Sequence, residues 1–176
     1  MVGASGSGKT TLARALAERL HAPLIELDAL MHQPAWAPKP DEEFKREVEQ
    51  ATAQDIWVVD GNYRQVVIEG PVWQRADTVV WMDPPRRTFM RQLFVRTLRR
   101  AVTREILWNG NREPLSNFTS LDPDQSVFVW AWVTYKGLSE RYATAMADPS
   151  WEYLNFVRLG SNVEARRWLE SVSAPV

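Results

Sequence analysis

Residues 3–10 read Gly-Ala-Ser-Gly-Ser-Gly-Lys-Thr, a complete match to the spacing Gly-x-x-x-x-Gly-Lys-Ser/Thr. No other stretch constrains the fold as tightly. Glycines permit positive φ, so successive backbone N–H groups can turn inward around an anion. In that pattern Lys9 reaches the outer phosphates of a nucleotide and the Thr10 hydroxyl ligates Mg²⁺. A helix must follow, because its positive N-terminal end serves the same anion. Leu12, Leu16 and Leu20 recur every four residues after Lys9, with Ala13, Ala15 and Ala17 between them. A Gly/Ser linker ending by chance in Lys-Thr needs no such periodicity. Gly3, Ala4, Ser5, Gly6, Ser7, Gly8, Lys9, Thr10 and Thr11 are therefore the expected nucleotide contacts. Arg14 and Glu18 have the i,i+4 spacing of an ion pair on the helix's outer side.

A phosphate loop hangs from the end of a buried central strand, yet only Met1 and Val2 precede Gly3. Two residues leave ladder partners unmet, so the reading is of a truncated or misassigned start.

The 176 residues, 45% apolar and 24% charged, suit one globular domain spanning 1–176 with a sizeable core. The chain has no cysteine, no signal peptide and no 18-residue apolar run, which leads us to expect a cytoplasmic protein with no membrane partner. The net charge of −1 hides an asymmetry. Between Arg86 and Arg112 stand eight arginines and a single acid, Glu105. Such a run in a near-neutral chain suits a phosphate-bearing ligand better than general affinity for nucleic acid.

Short β-like runs alternate with helical stretches, which predicts an α/β fold with a parallel sheet. Leu24 to Leu27 reads as a strand ending at Asp28, and 29–40 as a proline-rich loop holding His32 and Trp36. Asp41 opens a helix with Phe44, Val48 and Ala51 on its apolar face. Ile56 to Val59 is a strand ending in Asp60-Gly61-Asn62-Tyr63-Arg64, and Thr78 to Met82 a strand ending in Asp83-Pro84-Pro85. A long basic helix then runs to about 104, and 105–121 reads as a mobile loop. Asp122-Pro123-x-Gln125 carries the signals of a helix start. That helix continues to about Ala147. Leu154 to Leu159 is the last strand, Ser161-x-x-Glu164 a capping box, and 174–176 a frayed end.

In open α/β sheets the ligand lies beyond the carboxyl ends of the strands. Asp28, Asp60 and Asp83 all fall there. Asp60, after a hydrophobic strand, suits a metal-side acid acting with Thr10; the alternative is a turn cap. Asp28 could orient or deprotonate an acceptor hydroxyl, or cap a helix. Asp83, before two prolines, reads as a turn residue. Trp57, Trp73, Trp81, Trp130, Trp132 and Trp168 read as core or half-core packing. Neither His21 nor His32 has a ligand partner at metal spacing.

The phosphate loop, the strand followed by Asp-Gly-Asn-Tyr-Arg, and the strand followed by Asp-Pro-Pro and an arginine-rich helix together resemble the P-loop small-molecule kinases of the adenylate-kinase type. Leu27-Asp28-Ala29-Leu30, Asp60 to Tyr63 and Trp108-Asn109-Gly110-Asn111 bring the chain nearer to the bacterial topology modulation proteins of that group. The resemblance implies a three-layer α/β/α fold with strand order 2-3-1-4-5 and a lid over roughly 96–121. It implies ATP and Mg²⁺ as cofactors, with Asp60 beside the metal and Arg64 holding the acceptor. Arg91 falls where such kinases stack an arginine on adenine, and Arg96, Arg99, Arg100, Arg104 and Arg112 are candidate lid arginines. Arginines 96, 99, 100 and 104 share a helix face. The expected reaction moves the γ-phosphate of ATP to a small acceptor, a nucleotide or related phosphate before others, with His32 and Trp36 lining its pocket. Only Lys39, Lys45 and Arg46 between 29 and 55 are cationic, so a hydroxyl acceptor that calls on Asp28 stays open. So do two other classes: a nucleotide-dependent nucleic-acid-binding protein, and a nucleotide switch with weak hydrolysis.

Overall fold

The computed structural model describes residues 1–173; the expectation for 174–176 lies outside the described residues. The first half of the chain runs β1 (Val2–Gly3), α1 (Lys9–Leu20), β2 (Leu24–Glu26), α2 (Leu27–Met31), α3 (Asp41–Ala51), β3 (Val58–Asp60), α4 (Arg64–Val67), α5 (Pro71–Arg75) and β4 (Thr78–Met82). The second half runs α6 (Arg86–Thr103), α7 (Ser116–Thr119), α8 (Val127–Ala147), β5 (Asn155–Leu159) and α9 (Asn162–Ser171). Single 3-10 turns cover Pro34–Trp36, Trp108–Gly110 and Pro149–Trp151.

Every strand pair is parallel, as βαβ alternation requires. The continuous order 2-3-1-4-5 is instead divided into β1-β4-β5 and β2-β3. The cause is the length of β1. Two residues suffice to pair Val2 with Trp81 and Gly3 with Met82. On its other side β1 meets β3 only through Met1 N to Val59 O at 2.7 Å and Gly61 N to Met1 O at 3.2 Å, short of a ladder.

β4 organises the core because both of its faces are covered. Val79 and Trp81 face one cluster with Trp73, Phe89, Leu93 and Tyr142. Val80 and Met82 face the other, with Leu12 of α1, Leu159 and Ala165 of α9. Side chains alternate across a strand, so a run apolar at every position is buried on both faces. The first cluster joins residues on both sides of position 109, from Val2 to Leu154.

Local departures have local causes. β2 stops at Glu26, and Leu27 and Asp28 already belong to α2, because Leu27 turns fully into the core. Arg14 pairs with Glu26 across to β2 at 2.7 Å, not with Glu18. Asp122 to Gln125 is a turn, in which the Asp122 carboxylate accepts from Asp124 N and Gln125 Nε2; α8 starts four residues later than its start signals placed it. The capping box at α9 forms, with Ser161 Oγ accepting from Glu164 N and Glu164 accepting from Gly160 N. Trp130 and Trp132 are not core: Trp132 is 53% exposed. Among the described residues no helix is long and apolar enough to cross a membrane.

Candidate functional site

The phosphate loop keeps the geometry its sequence demands. Gly8 caps α1 in a left-handed conformation, φ 96°, and no side chain occupies the cap. The first N–H groups of α1 are thus left for a ligand, and no acid in the first turn competes for them. Gly6 has φ 82°, and a Cβ there would lie 2.7 Å from Phe89 O and from Leu93 Cβ. The loop therefore rests directly on α6. Lys9 is 7% exposed. Ser5, Gly6, Gly8, Lys9, Thr10 and Thr11 line a cleft of about 1940 Å³. Gly3, Ala4 and Ser7 lie behind that lining, Ser7 fully buried.

β2 and β3 run in register, Glu26 beside Asp60, so their ends deliver two acids to the cleft edge. Asp60 is buried. Its Oδ2 accepts from the Thr10 hydroxyl at 2.5 Å, and its Oδ1 is shielded without a partner. A buried acceptor with nothing to accept from is costly unless a cation meets it. Thr10 and Asp60 together fit Mg²⁺, a hard ion held by one or two protein oxygens and otherwise by phosphates and water. Asp28, in the first turn of α2, accepts from the Tyr63 hydroxyl at 2.8 Å through Oδ1. Burial pushes the Tyr63 hydroxyl pKa up, and the Asp28 charge and hydrogen bond push it further, so Tyr63 keeps its proton and donates. The same oxygen lies 3.3 Å from His32 Nε2. Asp83 is structural: Arg158 binds it through two nitrogens, and Ser139 donates to it at 3.3 Å.

Of the run of arginines, Arg96, Arg99 and Arg100 line the cleft. Burial lowers the Arg96 pKa, with Arg100 adding to the effect, against the pull of Glu113, Asp28 and Asp60. Burial raises the Glu113 carboxyl, opposed by Arg100 and Arg96, and Arg100 lies 3.7 Å from it. Arg99 pairs with Glu105 at 3.0 Å and Arg100 lies 3.7 Å from both Glu105 and Glu113, whereas the buried Arg96 Nε has no partner among the described residues, which suits an anion in the cleft. The other arginines go elsewhere. Arg104 follows the last helical residue with φ 52°, which turns it off the shared face, and it does not line the cleft. Arg91 and Arg112 are exposed and also outside the lining. Arg64 pairs with Glu69 at 2.7 Å, away from the cleft. Arg86 stacks on Trp132 and Tyr135. The eight arginines therefore form no single basic stripe.

Residues 105–121 are not a free loop. Trp108 Nε1 donates to Glu26 Oε2 at 2.9 Å, and Asn109 Nδ2 donates to the carbonyls of Ala29 and His32. Asn111 accepts from Trp36 N at 3.0 Å and donates to Gln33 O at 2.9 Å. Trp36 Nε1 donates to Arg112 O at 3.0 Å. The segment is fastened to the 29–36 loop, and both line the cleft. The clasp also holds strain, since Ala35 and Trp36 are consecutive left-handed residues at φ 61° and 59°. Such conformations cost about 1–3 kcal/mol each without a glycine. Asn111 is 5% exposed, and removing its side chain leaves buried partners unmet. Asn111→Ala should lower stability by about 1–3 kcal/mol and open both segments to protease. Unchanged cleavage near 29–36 and 105–117 in limited digestion would show that the clasp carries no load.

Four residues were not singled out by sequence reasoning. Asn62 accepts from Gly3 N at 3.0 Å, donates to Gly3 O at 2.6 Å and accepts from the Tyr142 hydroxyl, so it pins the start of the phosphate loop. Tyr63 orients Asp28. Trp108 and Asn111 build the clasp. All four lie inside motifs quoted from the sequence, but nothing in spacing tells which side chain turns to which partner.

A family model described as an AAA domain matches residues 1–109, from the phosphate loop through α6. No curated protein matches the chain.

Proposed function

The chain belongs to the AAA-domain family, a nucleotide-binding P-loop family, and from that premise we propose that it is a cytoplasmic ATP- and Mg²⁺-dependent phosphotransferase acting on a small hydroxyl acceptor. Its proposed frame is one three-layer α/β/α domain with strand order 2-3-1-4-5, in the manner of adenylate-kinase-type and topology modulation proteins, with 96–121 as a lid. One observation carries the reading. Asp28 in the first turn of α2, Thr10 with its hydrogen bond to the buried Asp60 at the end of β3, and Arg96 on α6 come together around the cleft of the phosphate loop.

The phosphate-loop N–H groups and Lys9 hold the nucleotide's phosphates, and Arg96, Arg99 and Arg100 face the γ-phosphate. Thr10 and Asp60 would hold Mg²⁺, which when bound neutralises charge between the phosphates. Asp28, fixed by Tyr63, takes the proton from the acceptor hydroxyl through its second oxygen. The acceptor oxygen then bonds to the γ-phosphorus, and the bond from that phosphorus to the bridging oxygen breaks, leaving ADP. A hydroxyl is preferred to the phosphate acceptor expected from the family because the 28–36 wall supplies Asp28 and no lysine or arginine. Asp28→Asn tests this. Transfer from γ-labelled ATP to a panel of hydroxyl compounds should fall about a hundredfold, while ATP affinity is kept. Undiminished transfer would remove Asp28 as base.

A further inference from the structure

Resting on that phosphotransferase reading, we propose that the acceptor is a neutral compound joining a planar aromatic ring to a hydroxyl, its ring held in a box made by His32, Trp36 and Trp108. The three rings form one cluster. His32 and Trp36 lie 5.1 Å apart at 72°, Trp36 and Trp108 6.3 Å apart at 83°, and His32 and Trp108 6.5 Å apart at 30°. All three line the cleft and all are half-buried. Each indole N–H is taken by the protein, Trp36 by Arg112 O and Trp108 by Glu26, so the box offers ring surface and no donor of its own from the tryptophans. Offset and edge-to-face contact with another aromatic ring is the favoured use of such surface.

Trp36 is placed at a cost that mere packing does not explain. A bulky residue in the left-handed region is an outlier, and here it follows a second one. Asn111 and Arg112 hold it there. Backbone strain sustained by dedicated hydrogen bonds is characteristic of ligand clamps.

Position and charge define the rest of the acceptor. His32 lies one turn beyond Asp28, its N–H donating to Asp28 O at 3.1 Å, and both side chains meet the Tyr63 hydroxyl. One small molecule can therefore set its ring in the box and its hydroxyl at Asp28. Residues 27–38 contain no lysine or arginine, and Lys39 is committed to Glu47 and Glu43. Arg100, 5.9 Å from the Trp108 ring, is drawn toward Glu105 and Glu113. Residues 27–38 thus offer a phosphate on the acceptor no lysine or arginine, and Arg96, which also lines the cleft, is assigned to the γ-phosphate.

The test uses the full chain with ADP and Mg²⁺, and follows binding of uridine, benzyl alcohol, glucose and AMP by saturation-transfer NMR. The same compounds serve as acceptors for γ-labelled ATP. Uridine or benzyl alcohol should bind more tightly than glucose and AMP. Trp36→Leu should weaken that binding at least tenfold and raise KM with little change in kcat. Trp36→Phe, which keeps a ring, should restore most of it. Equal binding of glucose or AMP, no binding of either ring compound, or an unchanged Kd in folded Trp36→Leu would overturn the box. If Trp36→Leu fails to fold, the wild-type ranking and Trp36→Phe decide alone: Trp36→Phe must keep most of the affinity for the ring compounds, and a tenfold loss overturns the box. Ring compounds bound through the box without any phosphate transfer would defeat the phosphotransferase reading and leave the box standing. Transfer to glucose unaffected by Trp36→Leu would do the reverse.

Discussion

Lys9→Ala should abolish phosphate transfer, lowering turnover about a thousandfold or more, at the upper end of what one preorganised charge contributes. Lys9 is 7% exposed at the first position of α1, inside the loop that rests on α6. No hydrogen bond or ion pair to a described residue holds its ammonium. Its burial is therefore justified by a ligand's charge and not by the fold. Loss of the side chain removes attraction to the phosphates in both the ground state and the transition state, so ATP affinity and kcat should fall together. The folded chain has little to lose, because the ammonium opens on the cleft and makes no contact that the fold depends on. Thermal unfolding should show a midpoint unchanged or raised, and isothermal titration should show weakened ATP binding. Retained ATP affinity and turnover would overturn the phosphate-loop assignment, whatever the motif.

Asp60→Asn should lower turnover by about 10²–10³ and shift the Mg²⁺ requirement upward, with a smaller effect on nucleotide affinity. The substitution keeps shape and leaves an oxygen for the Thr10 hydroxyl, which now donates at 2.5 Å. What disappears is the negative charge and the acceptor character of the shielded Oδ1, the atom that has no protein partner. A metal held by Thr10 and Asp60 would depend on that atom, whereas the nucleotide's remaining contacts would not. Turnover measured across a Mg²⁺ series separates the two. A variant that is fully active but unfolds at lower urea would make Asp60 a structural cap, and the metal's acid would then be Asp28.

The placement of the phosphate loop was legible because its constraint is local. Four specified positions within eight residues dictate a turn, and the leucines after Lys9 dictate a helix with one buried stripe. The α/β class was legible for the same reason, since strand and helix periodicities differ along the chain. Val79 to Met82, apolar at every position, could only be a strand buried on both faces. The strand ends were less sharp. Leu27 was read into β2, but its burial is satisfied equally by the first turn of α2, and only packing decides between them.

The arginines show where sequence stops. Periodicity put residues 96, 99, 100 and 104 on one face, and the first three do line the cleft. Arg104 leaves it because α6 ends at Thr103 in a left-handed turn that no nearby glycine announced. Arg112 was expected to reach a phosphate, but its side chain is exposed, and its backbone carbonyl holds the Trp36 indole. The segment around it was read as a mobile loop, and in the structure Asn109 and Asn111 fasten it to residues 29–36. Asparagine tolerates unusual backbone angles and also carries three hydrogen-bonding groups, and sequence does not tell which property is in use.

The sequence by itself determined the phosphate loop, the helix behind it, the alternation that makes the strands parallel and the acid that ends β3. Each follows from short-range chemistry between residues a few positions apart. Only the tertiary structure decided that Asn62 clasps Gly3 across 59 positions. It alone brought Trp108 and Asn111 to a loop more than seventy residues earlier. It alone set Arg96, Arg99 and Arg100 of α6 in the lining of the phosphate-loop cleft and left Arg104 outside it. These contacts depend on side-chain direction and on distance through space. A one-dimensional pattern fixes neither, because many partners of the same chemical type compete until the core closes around one arrangement.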